Sequence, residues 1–116
     1  MLRARALLAL GDAAAARADL EHALGEEPEN ADALCMLADA ALRLGDASAA
    51  LEHGMASAAL AIGSPRVHLV IGRAFLTLGS PTEAVTAFEA ACALGPGWEE
   101  ARAALEEARR AAGGGA

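Results

Sequence analysis

The chain has 116 residues, of which 55% are hydrophobic, and its formal net charge is −7. This length suits one domain with a continuous core, and the dominance of alanine and leucine, with no tyrosine and with Trp98 as the only tryptophan, favours helices over strands. The acidic charge and the complete absence of lysine argue against binding to a nucleic-acid backbone, because such binding depends on clustered cations.

Helix signals alternate with stops along the whole chain, and they predict seven helices. The predicted ranges are about 2–10, 13–24, 31–44, 47–61, 66–78, 81–94 and 98–111. Gly11, Gly45 and Gly79 each follow a leucine and end the first, third and fifth helices. The sequence therefore predicts an all-α fold with short connections.

The residues after these glycines are typical helix caps. Asp12 and Asp46 are the predicted N-caps of the second and fourth helices. At the sixth helix Ser80 is the predicted cap, Pro81 takes the first helical position and Glu83 completes a capping box.

The three glycines are 34 residues apart, and a fixed period predicts a stacked repeat. Short connections force neighbouring helices to run antiparallel, so each unit is a helical hairpin whose unburied face needs the next hairpin. Small residues recur at the places where helices must cross closely: Ala16, Ala50 and Ala84, and also Ala23, Ser57 and Ala91.

These positions resemble the tetratricopeptide repeat, and residues 65–98 match it best, through His68, Ile71, Gly72, Phe75, Ala84, Phe88, Ala91 and Pro96. The resemblance implies a right-handed α-solenoid of antiparallel hairpins over residues 1–112. Its repeats would span about 1–30, 31–64 and 65–98, followed by a capping helix at 98–111 and a flexible tail at 113–116.

Two departures from the repeat pattern stand out. Gly54 lies where a large residue is usual, and Ile62 lies where proline is usual, so the middle repeat is expected to be the loosest, with unfilled volume at Gly54. The first helix begins late at Met1, and Arg3 occupies a place that is apolar in later repeats. A self-associating end, a swapped helix or a preceding segment would each cover it.

In this family the first helix of each hairpin lines a concave groove, which gives a set of candidate partner-binding residues. The set is Arg5, Leu8, Asp32, Cys35, Met36, Asp39, Leu42, Arg43, Arg66, Leu69, Val70, Arg73, Leu76 and Thr77. Leu8, Leu42 and Leu76 would form an apolar stripe, either as a seat for a peptide or as a ridge that packs one repeat on the next.

Charges of alternating sign recur along this groove. One series is Arg5, Asp39 and Arg73, and the other is Asp32, Arg66 and Glu100. We favour ion pairs between repeats as their role. The alternative is that Arg66 and Arg73 bind a partner's carboxylates through forked hydrogen bonds.

Some family members hold the acidic tails of chaperones with a clamp of basic and asparagine residues. The matching places in this chain carry Met1, Arg5, Met36, Arg66 and Val70, of which only Arg66 clearly fits. The resemblance therefore disfavours chaperone-tail binding.

The sequence shows no catalytic or metal-binding constellation. Cys35 and Cys92 have no ligand spacing and are expected to be buried thiols, which fits a reducing, cytoplasmic compartment. His22, His53 and His68 fall at different repeat places, and no uncharged run approaches a membrane span. We expect no cofactor, no metal and no membrane insertion.

The leading hypothesis is a non-catalytic protein interaction module, an adaptor or assembly scaffold that binds a peptide or protein in its concave groove. One alternative is a repeat segment of a larger multidomain enzyme or regulator that serves substrate positioning or dimerisation. The other is a structural subunit that forms homo-oligomers through its first repeat.

Overall fold

The computed structural model describes residues 2–61 and 63–113. These residues form seven α-helices and no strand, which confirms the all-α prediction. The helices are α1 (Leu2–Ala9), α2 (Ala13–Glu26), α3 (Ala31–Arg43), α4 (Ala47–Leu60), α5 (Pro65–Thr77), α6 (Pro81–Leu94) and α7 (Glu99–Gly113). The predictions about Met1, Ile62 and residues 114–116 lie outside the described residues, and α7 includes Gly113, which was predicted to begin the tail.

The helices stack as hairpins in chain order. Each helix packs on the next one along the chain, and the first helices of the hairpins also pack on one another, α1 on α3, α3 on α5 and α5 on α7. The second helices α2, α4 and α6 do not contact one another within the described residues. The molecule is elongated, with extents of 46 × 26 × 22 Å, as expected for a solenoid in which a repeat contacts only its neighbours.

The three predicted glycine turns have the same geometry. Gly11, Gly45 and Gly79 have φ values of 83°, 84° and 80°, a left-handed conformation that costs a side-chain-bearing residue free energy. In each turn the amide after the glycine donates to the carbonyl five residues earlier, at 2.8 Å. The 34-residue period of the sequence therefore corresponds to a helix end of the same geometry in every repeat.

The predicted caps form at two of three positions. The Oδ1 atoms of Asp12 and Asp46 each accept a hydrogen bond from the backbone amide three residues later, at 3.1 Å. Ser80 makes no such bond, so the predicted capping box with Glu83 is wrong. Asp46 and Ser80 have similar ψ angles, 76° and 70°, and the serine side chain is one bond shorter than the aspartate arm.

The core consists of small clusters that combine alanines with a few larger side chains. Phe88 is fully buried. A Cβ atom on Gly72 would lie only 2.4 Å from Cε1 of the Phe88 ring. At Gly54 a Cβ atom would lie 2.9 Å from Cγ1 of Ile71. The expectation of unfilled volume at Gly54 is therefore wrong, because a side chain of the next repeat occupies that space.

Among the helices described, none has both the length and the apolar character that a membrane span requires.

Candidate partner-binding groove

The face built by the first helices carries two depressions. The N-terminal pocket has a volume of about 390 Å³ and lies between α1, α3 and the start of α5. From the predicted set it contains Arg5, Leu8, Asp32, Cys35, Met36, Asp39, Arg43 and Arg66. The C-terminal pocket has a volume of about 460 Å³, and from the set it contains Leu42, Arg73, Leu76 and Thr77.

Leu69 and Val70 line neither depression, which corrects their predicted place in the groove. Their exposed fractions are 2% and 4%, and Leu69 packs in one cluster with Phe88 and Leu105. The reason is that α5 contacts four helices, α3, α4, α6 and α7, so little of its surface is left for the groove.

The predicted leucine stripe is also interrupted. Leu8 is 7% exposed and packs against Ala13, Ala16 and Ala40, whereas Leu42 and Leu76 are half-buried in the C-terminal pocket. Leu8 is thus a packing residue, and the two later leucines are the accessible ones.

Two arginines of the groove are bound to the protein itself. Nη2 of Arg73 lies 2.8 Å from Oε2 of Glu100, a bond between α5 and α7. Arg43 pairs with Asp39 at 3.2 Å, and its Nη1 donates to the carbonyl of Leu8 at 2.8 Å. The predicted ion pairing between repeats is therefore present at Arg73, although its partner belongs to the other charge series.

Arg5 and Arg66 differ from these two. Within residues 2–61 and 63–113 no carboxylate lies within 4.0 Å of either guanidinium group. Cζ of Arg66 lies 5.9 Å from the centre of the Trp98 ring, in a cation–π arrangement. The N-terminal pocket thus presents two exposed cations that form no direct ion pair with the described residues, together with the exposed carboxylate of Asp32.

Sequence reasoning missed the part played by Trp98. The 34-residue period could have indicated it. Ser64 directly precedes α5, and Trp98 lies one period after Ser64. Since α7 packs on α5 as α5 packs on α3, that place brings the indole close to Arg66.

Cys35 is a buried wall of the N-terminal pocket. Burial raises the pKa of its thiol from 9.0 to about 11, so the thiol is neutral at ordinary pH and is a poor nucleophile or metal ligand. Both cysteines are free, and the described residues contain no cluster of histidine, cysteine, aspartate and glutamate that could hold a metal ion.

The repeat period, the hairpin stack and the groove agree with a comparison against protein families. The tetratricopeptide repeat (TPR) signature matches residues 1–65 and 56–97. The chain belongs to the tetratricopeptide repeat family. No curated protein matches it in sequence.

Solved TPR structures share this fold. The second TPR domain of human RPAP3, determined with the HSP70 peptide SGPTIEEVD, superposes with a TM-score of 0.85 at 21% identity, over 92% of this chain and 89% of that one. The TPR protein TTC0263 of Thermus thermophilus gives 0.86 at 26% identity, over 95% and 62%. An O-GlcNAc transferase mutant of Thermobaculum terrenum gives 0.88 at 24% identity, over 90% of this chain and 20% of that one. These likenesses confirm the helical solenoid.

Proposed function

We propose that this TPR chain is a non-catalytic interaction module that binds an extended, carboxylate-bearing peptide in the groove of its first helices. The observation that carries the proposal is the N-terminal pocket, a depression of about 390 Å³ in which Arg5 and Arg66 have no ion pair among the described residues. The depression is lined by three arginines and by Asp32 and Asp39, which leaves it one net positive charge. In a chain of net charge −7 this local excess favours an acidic ligand over a basic one.

Arg66 is the residue best suited to hold a carboxylate. Its guanidinium group offers a planar fork of donors, and it lies over the Trp98 ring in a cation–π arrangement. Arg73 is less suitable because Glu100 already neutralises it. The proposal therefore rests on one arginine of the two that the sequence suggested.

A neighbour in fold supports an acidic peptide as the ligand class, since the RPAP3 domain is bound to SGPTIEEVD, which carries three carboxylate side chains. The chaperone-tail clamp is a poor description of this chain, because Val70 occupies one clamp place and is buried. We infer a different mode of binding, centred on Arg66 and the start of α5.

The test is a fluorescence anisotropy titration of labelled SGPTIEEVD and of its charge-reversed counterpart SGPTIKKVK. We expect only the acidic peptide to bind, and we expect Arg66→Ala to weaken it about tenfold or more, because a charge-assisted hydrogen bond is lost. Arg73→Ala should have a much smaller effect. Arg110→Ala, on the exposed last turn of α7, is the matched control for loss of one positive charge.

Equal binding of both peptides would contradict the proposal, as would an Arg66→Ala affinity equal to that of Arg110→Ala.

A second candidate function is a repeat segment that serves a larger enzyme. The observation in its favour is the Thermobaculum terrenum transferase, in which a region like this chain makes up 20% of the polypeptide. The mass of the native polypeptide distinguishes the two functions, because an enzyme-sized continuation favours the second and a short product favours the first.

A further inference from the structure

The outer side of the solenoid carries an apolar groove that the proposed function does not use. It has a volume of about 610 Å³, with α4 and α6 as walls and α5 as floor. Its lining includes Met55, Ala59, Ile71, Phe75, Ala87 and Ala90. Both walls pack on α5 but not on each other, which leaves the space between them open. We call this the outer groove.

The outer groove faces away from the peptide groove. A helix turns by about 100° per residue, so Ile71 and Phe75 lie on the side of α5 opposite to Arg66 and Arg73. A ligand in one groove therefore leaves the other accessible.

Stacking of repeats does not require this apolar surface. The places one 34-residue period before Met55, Thr86 and Ala87 carry Glu21, Glu52 and His53, and the first two repeats also stack on each other. Met55 is 53% exposed although it is a large apolar side chain. An exposed apolar surface that the fold does not need is typical of an interaction site.

The charges around the outer groove are of one sign. Neither α4 nor α6 contains a lysine or an arginine, whereas Glu83 lies in the groove wall and Glu52 lies one turn before Met55. No cation within residues 2–61 and 63–113 pairs with either carboxylate. His68 of α5 is the other titratable group that lines this groove among the described residues.

We propose that the outer groove binds an amphipathic helix of a partner protein, with large apolar side chains on one face and arginine or lysine flanking that face. The alanines of both walls leave room for leucine or phenylalanine side chains, and an apolar groove between two helices matches the helix-in-groove mode of recognition. The flanking cations pair with Glu52 and Glu83, which favours a basic helix over an acidic one.

The experiment uses two designed helical peptides with the same leucine face, one flanked by lysine and one flanked by glutamate. Binding to the intact chain is followed by fluorescence anisotropy in low and high salt. We expect the lysine peptide to bind at least tenfold more tightly than the glutamate peptide, and we expect salt to reduce the difference because it screens exposed charges.

The decisive variant is Met55→Glu with Thr86→Glu, which installs the residues that the preceding repeat carries at these places, so the fold is expected to tolerate it. It should abolish binding of the lysine peptide. Ala14→Glu with Ala18→Glu, an equal change of two charges on the exposed face of α2, should preserve it. Glu83→Lys should reduce the preference for the lysine peptide, and Glu83→Lys with Glu52→Lys should reverse it. Arg66→Ala should leave this binding unchanged, which separates this proposal from the first.

Equal affinity for both peptides, or full binding by the double variant, would overturn the proposal. Sedimentation of the chain alone provides the remaining test, because a dimer that Met55→Glu dissociates would show that a second copy, and not a basic helix, occupies the groove.

Discussion

Gly72 is the residue at which the third repeat has no room for a side chain. A Cβ atom there would lie 2.4 to 2.7 Å from three ring carbons of Phe88, which is fully buried. We expect Gly72→Ala to lower the free energy of unfolding by about 2 kcal/mol, because overpacking outweighs the gain in helix propensity. Urea denaturation measures this change.

The matched control is Gly25→Ala, since Gly25 is also helical and a Cβ atom there meets nothing within 4 Å. That variant should be neutral or stabilising by about 0.5 kcal/mol. In the double variant Gly72→Ala with Phe88→Leu, the two losses should be less than additive, because the smaller side chain relieves the clash. A Gly72→Ala protein as stable as Gly25→Ala would show that the ring lies elsewhere.

The sequence shows that Gly54 and Gly72 are glycines, but it does not show which side chains surround them. Gly54 was expected to leave a void because its place usually carries a large residue, whereas Ile71 of the next repeat lies against it. The repeat pattern compares positions one period apart and contains no information on which side chain of a neighbouring helix fills a gap. Packing between repeats was therefore the part that the sequence could not predict.

The buried thiol of Cys35 is expected to make the stability of the chain depend on pH. Its pKa in the folded chain is about 11, raised from 9.0 by burial, so between these values the folded chain keeps a proton that the unfolded chain loses. Stability should therefore fall as pH rises from 9 through 11.

The measurement is the difference in melting temperature between pH 8 and pH 10.5, values that lie on either side of the ordinary thiol pKa of 9.0. This difference in melting temperature should be smaller in Cys35→Ala than in the parent chain. Cys92→Ala is the control, because Cys92 is the other free cysteine and is only half-buried. An unchanged difference in Cys35→Ala would show that other groups cause the loss.

At the scale of the helix, the N-cap of α4 is expected to contribute more to the free energy of unfolding than the N-cap of α6. Asp46→Ala removes the acceptor of the Ala49 amide and should cost about 1 kcal/mol. Ser80→Ala removes a side chain that makes no capping bond, so its cost should be close to zero. Thermal unfolding of the two variants compares them directly, and equal losses would contradict the observed geometry.

The helices themselves were predictable because their end signals are local. Gly45 and Asp46 act within one turn, so the sequence alone locates the end of α3 and the start of α4. The burial of Leu69 was not predictable in this way, because it depends on packing against α7, which begins 34 residues after the start of α5. Groove residues could thus be assigned to a helix face, but not to the surface or the core.

For the whole molecule, the absence of contacts between distant repeats predicts graded stability. Within the described residues α1 and α2 touch nothing beyond α3, whereas Phe88, Leu69 and Leu105 join α5, α6 and α7 in one cluster. Solenoid stability is a sum of repeat and nearest-neighbour terms, so the α1–α2 hairpin can open while the rest stays folded.

Native-state hydrogen exchange in low urea tests this gradation. Amides of α1 should exchange first and those of α5 and α6 last, because α1 has only Ala4 and Leu8 as buried side chains among those described. Gly72→Ala should then reduce protection in α5, α6 and α7 while leaving α1 unchanged, since α1 already opens by a local route that does not involve the Phe88 cluster. A uniform loss of protection in all seven helices would instead mean that the chain unfolds as one cooperative unit, and that contacts between neighbouring repeats outweigh the differences within them.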